Sequence, residues 1–210
     1  MIYDIQALSI KYKDYKNINL KVCYEVKKGK LIRIKKGLFS SNIEIDAPLL
    51  ANVCYSPSYI SFEYALSYYG LIPEYVSNIT SATYKKKNNK IYDINKLCLI
   101  YNCIPEKAFY YGIVFKNNEE GIKFKIACKE KALCDVLYIK YPVRSIKDLK
   151  TLLFDDLRID EEQFYKLDFN LIKQYGPLYH SNSINVLIKM INDKGANNGG
   201  VNNWRINKIM

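Results

Sequence analysis

A chain of 210 residues, 49% of them apolar or aromatic, has room for one large domain or for a small domain plus a medium one, and excludes global disorder. No stretch approaches the roughly 20 uninterrupted apolar residues of a membrane helix, and the first residues carry acids and lysines where a signal peptide needs an apolar run, so a soluble cytoplasmic protein is expected. The net charge of +11 is segregated: Lys11 to Lys36 holds ten bases against Asp14 and Glu25, a net +8, which points to a polyanionic partner.

In chain order, Ile5 and Leu8 suit a short helix. Ile18, Val22 and Val26 recur every four residues and lay an apolar stripe along a second helix ending near Gly29. In LIRIKKGLFS, Leu31 to Ser40, two β-prone runs flank Lys35-Lys36-Gly37, and the glycine supplies the positive φ of a tight hairpin. Two helices and a basic hairpin within 40 residues are the minimum of a winged helix-turn-helix, here with the usual first helix missing or reduced. An ordinary α+β subdomain with a solvated lysine face fits the same pattern.

After about Glu44 the basic density falls and aromatic content rises. A helix is expected within PSYISFEYALSYYGLIPEYV (Pro57 to Val76), capped by Ser58 or Ser61, with Glu63 in its first turn and Gly70 as a left-handed stop. Phe62, Ala65, Leu66 and Tyr69 form its inner face. Four strands follow: Ile79 to Lys85, Lys90 to Ile94, Phe109 to Phe115 and Gly121 to Ala127. The loops at 86–89 and 117–120 join them as two hairpins, predicting an antiparallel sheet. The last strand leads into a helix, KEKALCDVLYIK, with Ala132, Leu133, Val136 and Leu137 inward. Helical stretches are expected around Ile146 to Leu157, Glu161 to Tyr175 and Pro177 to Asp193. From Gly195 apolar periodicity is lost and a flexible tail is predicted, with Trp204 able to dock back.

Six cysteines raise the question of disulfides or zinc. There is no CxxC pair, and the only histidine, His180, stands far from any cysteine, so no metal is expected. Each has an apolar or aromatic neighbour on at least one side, which predicts reduced core thiols.

These residues resemble the AbiEi antitoxin family in the family's own order. The pieces are the wing GKLIRIKKGLF (Gly29 to Phe39), SPSYISFEYALSYYGLIPE (Ser56 to Glu74), ITSATYK, and the strand-to-helix junction IACKEKALCDVLY (Ile126 to Tyr138). The wing alone is a common pattern, whereas the second and fourth pieces together are specific. Two features depart from the family pattern: the short first helix, and Lys129 where a proline is expected. The resemblance implies a winged domain that binds inverted repeats in its own promoter and a C-terminal domain that carries antitoxicity. It also implies a functional partner, an AbiEii-like nucleotidyltransferase toxin, neutralised without a stable complex in a type IV, abortive-infection system of phage defence.

On this reading the fold class is α+β. A winged helix-turn-helix spans 1–44, a C-terminal antitoxin domain with an antiparallel sheet and several helices spans 45–194, and the tail spans 195–210. Lys16, Asn17, Asn19 and Lys21 lie near the start of the second helix, off its apolar stripe, where a recognition helix meets base edges. Asparagine can pair with adenine and lysine with phosphate or guanine. Lys28, and on the wing Arg33, Lys35 and Lys36, complete the candidate DNA-binding set. Glu130, Lys131 and Asp135 sit in the family junction and are candidates for antitoxicity. Lys131 and Asp135, four apart, also read as a plain helical ion pair.

Glu25-Val26-Lys27 mimics a nuclease motif without the metal-binding aspartates. Tyr59, Tyr64, Tyr68, Tyr69, Tyr75 and Tyr84 read as aromatic core, with a base-stacking surface the alternative. No catalytic residue, cofactor or membrane partner is assigned. A stand-alone transcriptional regulator is the second reading. An enzyme that modifies a toxin is the third, weakened by the absence of a phosphate-binding glycine loop.

Overall fold

A computed structural model describes residues 1–41, 46–86, 89–94 and 97–198, with side chains to Asp193. The chain starts with a strand that the sequence pattern did not reveal, β1 (Ile2–Asp4). Next come α1 (Ile5–Lys11), α2 (Ile18–Lys27), β2 (Ile32–Lys35) and β3 (Leu38–Ser40). Both helices begin on side-chain caps: Asp4 accepts from the Ala7 amide at 2.7 Å, and Asn17 from the Leu20 amide at 3.0 Å. The wing turns at Gly37 with φ +81, a left-handed backbone that favours glycine. β3 lies between β1 and β2 and pairs antiparallel with both, so the sheet order is β1-β3-β2. Leu8, Val22, Leu31 and Phe39 make the small core of this module, with Tyr3, Tyr12, Ile18 and Val26 packed around them.

The larger unit contains α3 (Ala47–Cys54), β4 (Tyr59–Ile60), α4 (Phe62–Tyr68), β5 (Ile79–Thr83), β6 (Lys90–Ile94), β7 (Leu97–Cys103), α5 (Glu106–Phe109), β8 (Ile113–Asn117) and β9 (Lys123–Ala127). It continues with α6 (Lys129–Ile139), α7 (Ile146–Lys150), a π-turn at Thr151–Asp156, α8 (Glu161–Tyr165), α9 (Phe169–Tyr175), a 3₁₀ turn at Gly176–Tyr179, and α10 (Asn182–Asn198). The α+β class holds.

The six-stranded sheet, β6-β7-β5-β4-β9-β8, is mixed rather than antiparallel. The β8–β9 hairpin forms as expected. The expected β5–β6 hairpin does not, because β5 runs parallel to β7 and antiparallel to β4. With both edges paired and all five residues buried, β5 is a central strand. The third predicted strand is shorter than expected: Glu106–Phe109 make a helical turn and pairing starts at Ile113. Between them Gly112, φ +65, brings the backbone so close to α6 that a Cβ there would lie 2.7 Å from the Lys131 Cβ.

α6 is the centre of the larger core. Eight of its residues are buried, including Ala132, Leu133, Val136 and Leu137, and it packs against α4, α9 and α10. The long helix expected over Glu161 to Tyr175 divides where Asp168 caps α9. At the C-terminal end α10 runs to Asn198, past the predicted start of the tail at Gly195, and Trp204 lies outside the described residues. The predicted boundary at Glu44 lies outside them too.

The two units share the wing. Phe39 faces the small core, whereas Ile34 and Leu38, each 7% exposed, belong to the large one.

Candidate nucleic-acid interface

In α2, the stripe that packs inward carries Val22 and Glu25, flanked by half-buried Ile18 and Val26. The opposite face therefore points outward. It carries Asn19, Leu20, Cys23, Tyr24 and Lys27, all exposed, with Lys16 in the preceding turn. Leu20 is 69% exposed and Tyr24 48%. Together with Tyr15 they line a shallow cleft of about 390 Å³ whose rim holds Lys16, Asn17 and Lys21.

The candidate residues divide under this geometry. Lys16, Asn19, Lys28, Arg33 and Lys36 are exposed, and Lys28 lies over the Tyr24 ring at 4.5 Å. Arg33 keeps its guanidinium 5.6 Å from the Phe39 ring centroid, which orients it on the wing. Asn17 is exposed, but its side-chain oxygen is committed to the helix cap. Lys21 pairs with Glu25 at 2.7 Å and stacks over Tyr15 at 4.4 Å. The hydrogen bond to Glu25 pushes the Lys21 ammonium up to about 12 and, in return, holds the Glu25 carboxyl below its ordinary value. Lys21 thus fastens the helix to itself and shields the Glu25-Val26-Lys27 acid.

Lys35 corrects the sequence expectation. Its ammonium donates to the Cys54 backbone carbonyl at the end of α3 and leaves the outer face of the wing. A bulge between Arg33 and Lys35 shifts the strand register there. Lys35 is a tie between the units, and the wing's outward charges are Arg33 and Lys36. What sequence reasoning missed is the apolar pair Leu20 and Tyr24. Their i,i+4 spacing off the Ile18–Val22–Val26 stripe is the signal that could have found them.

The antitoxicity candidates lie inside. Lys131 and Asp135 are 0% exposed and Glu130 is buried. One Asp135 oxygen accepts from Tyr59 at 3.0 Å and Ser61 at 2.6 Å. The other accepts from Lys131 at 2.9 Å and Tyr179 at 2.6 Å, and Lys131 also bonds the Tyr179 hydroxyl. Burial, with Asp135 alongside, pushes the Tyr59 and Tyr179 phenols far above their ordinary value, so both remain neutral donors. Ser61, one of the two serines expected to cap α4, gives its hydroxyl to this network and makes no side-chain cap. Glu130 accepts from the Asp168 amide at 3.0 Å and so supports the start of α9. The three charges connect α6 to β4, α4, α9 and the 3₁₀ turn; none presents a surface to a partner.

The tyrosines give no continuous stacking surface: Tyr59 is buried, Tyr64, Tyr69 and Tyr84 are half-buried, and Tyr68 and Tyr75 are exposed. His180 sits at φ +50 as the left-handed end of the 3₁₀ turn. All six cysteines are unbridged, but only Cys54 and Cys134 are core thiols; Cys23 is exposed and the other three are half-buried. The expectation of buried thiols read apolar neighbours in sequence, and on an amphipathic helix a neighbour lies on another face. Comparison with protein-family models and with curated proteins found no match.

Proposed function

We propose that the chain is a cytoplasmic DNA-binding antitoxin and autorepressor of the AbiEi kind. In this reading its winged module binds inverted repeats in its own promoter. The larger unit counteracts a nucleotidyltransferase-like toxin without a stable complex. The observation that carries the DNA half is the placement of Lys16, Asn19, Lys27 and Lys28 on or beside the outer face of α2, with Arg33 and Lys36 on the adjoining wing. A ten-residue helix following a shorter one across a turn, backed by a three-stranded sheet, suits insertion into a major groove with the wing on the flanking backbone. The local +8 supplies phosphate contacts whatever the base sequence.

The antitoxin half is supported by the motifs themselves. SPSYISFEYALSYYGLIPE and IACKEKALCDVLY converge in space, because Tyr59 and Ser61 of the first donate to Asp135 of the second. The reading assigns no reaction, cofactor or metal to the chain. Among the described residues no helix is long and apolar enough to cross a membrane.

A gel-shift titration on the DNA upstream of its own reading frame tests the reading. With about six phosphate contacts, log K should fall against log salt with a slope near −5, and a scrambled fragment should bind more weakly. Equal binding to both sequences, or none at low salt, overturns the repressor half. The antitoxin half is tested by co-expression with the product of the adjacent gene, where growth should be rescued. The stand-alone regulator reading takes its place if that gene encodes no toxin.

A further inference from the structure

The outer face of α2 is unusual for a surface meant to read bases by hydrogen bonds. Two of the four polar readers expected there are occupied, Asn17 by the helix cap and Lys21 by Glu25. What the helix offers instead, one turn apart and both exposed, is Leu20 and Tyr24, with Tyr15 closing the cleft beside them. Lys16, Lys27 and Lys28 flank this apolar strip, a frame of charge that fits a phosphate-lined groove rather than a neutral protein surface. Of the four bases, only thymine shows an apolar group in the major groove, its 5-methyl.

We propose that Leu20, walled by Tyr24, reads thymine 5-methyl groups, so that this interface selects thymine-bearing DNA by apolar contact, with Asn19 the adjacent amide for adenine. The proposal rests on the DNA-binding reading above and names what that surface recognises. It makes Leu20 a specificity residue. Lys16, Arg33 and Lys36 supply affinity without regard to sequence.

The test uses the full-length protein and the upstream DNA prepared twice, once with thymine and once with uracil throughout, which removes the methyl and leaves every hydrogen-bonding edge in place. Wild-type protein should bind the thymine form more tightly by about fourfold for each methyl that Leu20 covers. Leu20→Ala should lower affinity for the thymine form to near the uracil level and bring the ratio close to one. Because Leu20 is a surface residue, its circular dichroism should match wild type. Any preference that survives in Leu20→Ala comes from DNA shape, and a full-sized surviving preference overturns the inference. Equal binding of both forms by wild type overturns it while leaving the DNA-binding reading intact. Absence of binding to either form removes both. If Leu20→Ala instead breaks a dimer in sedimentation without changing the ratio, the strip is an interface between copies and the inference is wrong.

Discussion

Replacing Asp135 by alanine removes the acceptor for four donors at once and leaves the Lys131 ammonium in a site with no exposure, bonded to the Tyr179 hydroxyl. Breaking a buried ion pair from one side costs about 3–5 kcal/mol, and the stranded Tyr59 and Ser61 hydroxyls add to that rather than relieve it. For a chain of this length each kcal/mol moves the melting midpoint by about 2–4 °C, so Asp135→Ala should melt about 6–20 °C lower. Removing both charges is different in kind. Lys131→Met with Asp135→Leu fills the same space without an uncompensated ion and should recover much of that loss. Calorimetry on the wild type and both variants measures the stability, and co-expression with the adjacent gene product measures toxin rescue. If the network is structural, rescue follows stability and returns in the double variant. The reasoning fails if the double variant melts near wild type yet gives no rescue, for then the charges do something that packing cannot replace. It fails equally if Asp135→Ala melts within about 2 °C of wild type, less than one kcal/mol.

On the wing, Arg33→Ala with Lys36→Ala should flatten the salt slope of DNA binding by up to about 2 units, each lost phosphate contact removing about one released counterion. Lys35→Ala should leave that slope unchanged and lower the urea midpoint instead, because its ammonium holds the Cys54 carbonyl. An isolated fragment of residues 1–41 should give no cooperative melt by circular dichroism. Its own core is Leu8, Val22, Leu31 and Phe39, while Ile34 and Leu38 lose the larger core that covers them. A folded 1–41 fragment contradicts the shared wing. Burial pushes the Cys128 thiol from 9.0 up to about 11. Below pH 9 both states keep the proton and stability is unaffected; between about pH 9 and 11 the unfolded thiol ionises while the folded one does not, so stability falls as pH rises. Urea midpoints across that window should fall less steeply in Cys128→Ser.

The elements legible in the sequence were those whose burial follows one period. The Ile18–Val22–Val26 stripe gave α2, Gly37 between β-prone runs gave the wing, and the apolar face of KEKALCDVLYIK gave α6. Strands set by distant partners were not. β1 and β4 are short and exist because of what lies beside them: β3 for the first, β5 and β9 for the second. β7 has a readable alternation, with Leu99 and Tyr101 buried, but it inserts between β5 and β6, so adjacency along the chain does not predict which strands pair.

At the candidate site, charge and residue type single out side chains that are exposed, Lys16, Asn19, Lys28, Arg33 and Lys36, but not which of the others are committed elsewhere. Lys35 and Arg33 look equivalent in sequence and diverge because one points back at α3. Glu130, Lys131 and Asp135 look like surface chemistry until α4, β4, α9 and the turn at Tyr179 close over them.

If the outer face of α2 meets DNA, Cys23 reports on it directly. This thiol is exposed, on the same face as Leu20 and Tyr24, whereas Cys54 and Cys134 are buried. Its rate of alkylation by a maleimide can be followed by peptide mass spectrometry in protein alone, with the upstream DNA, and with a scrambled fragment at matched salt. Contact predicts strong protection of Cys23 by the upstream DNA, little by the scrambled fragment, and no change at the half-buried Cys98, Cys103 and Cys128. An unchanged Cys23 rate in a sample that a parallel gel shift shows to be saturated with DNA would place the nucleic acid elsewhere and contradict the account.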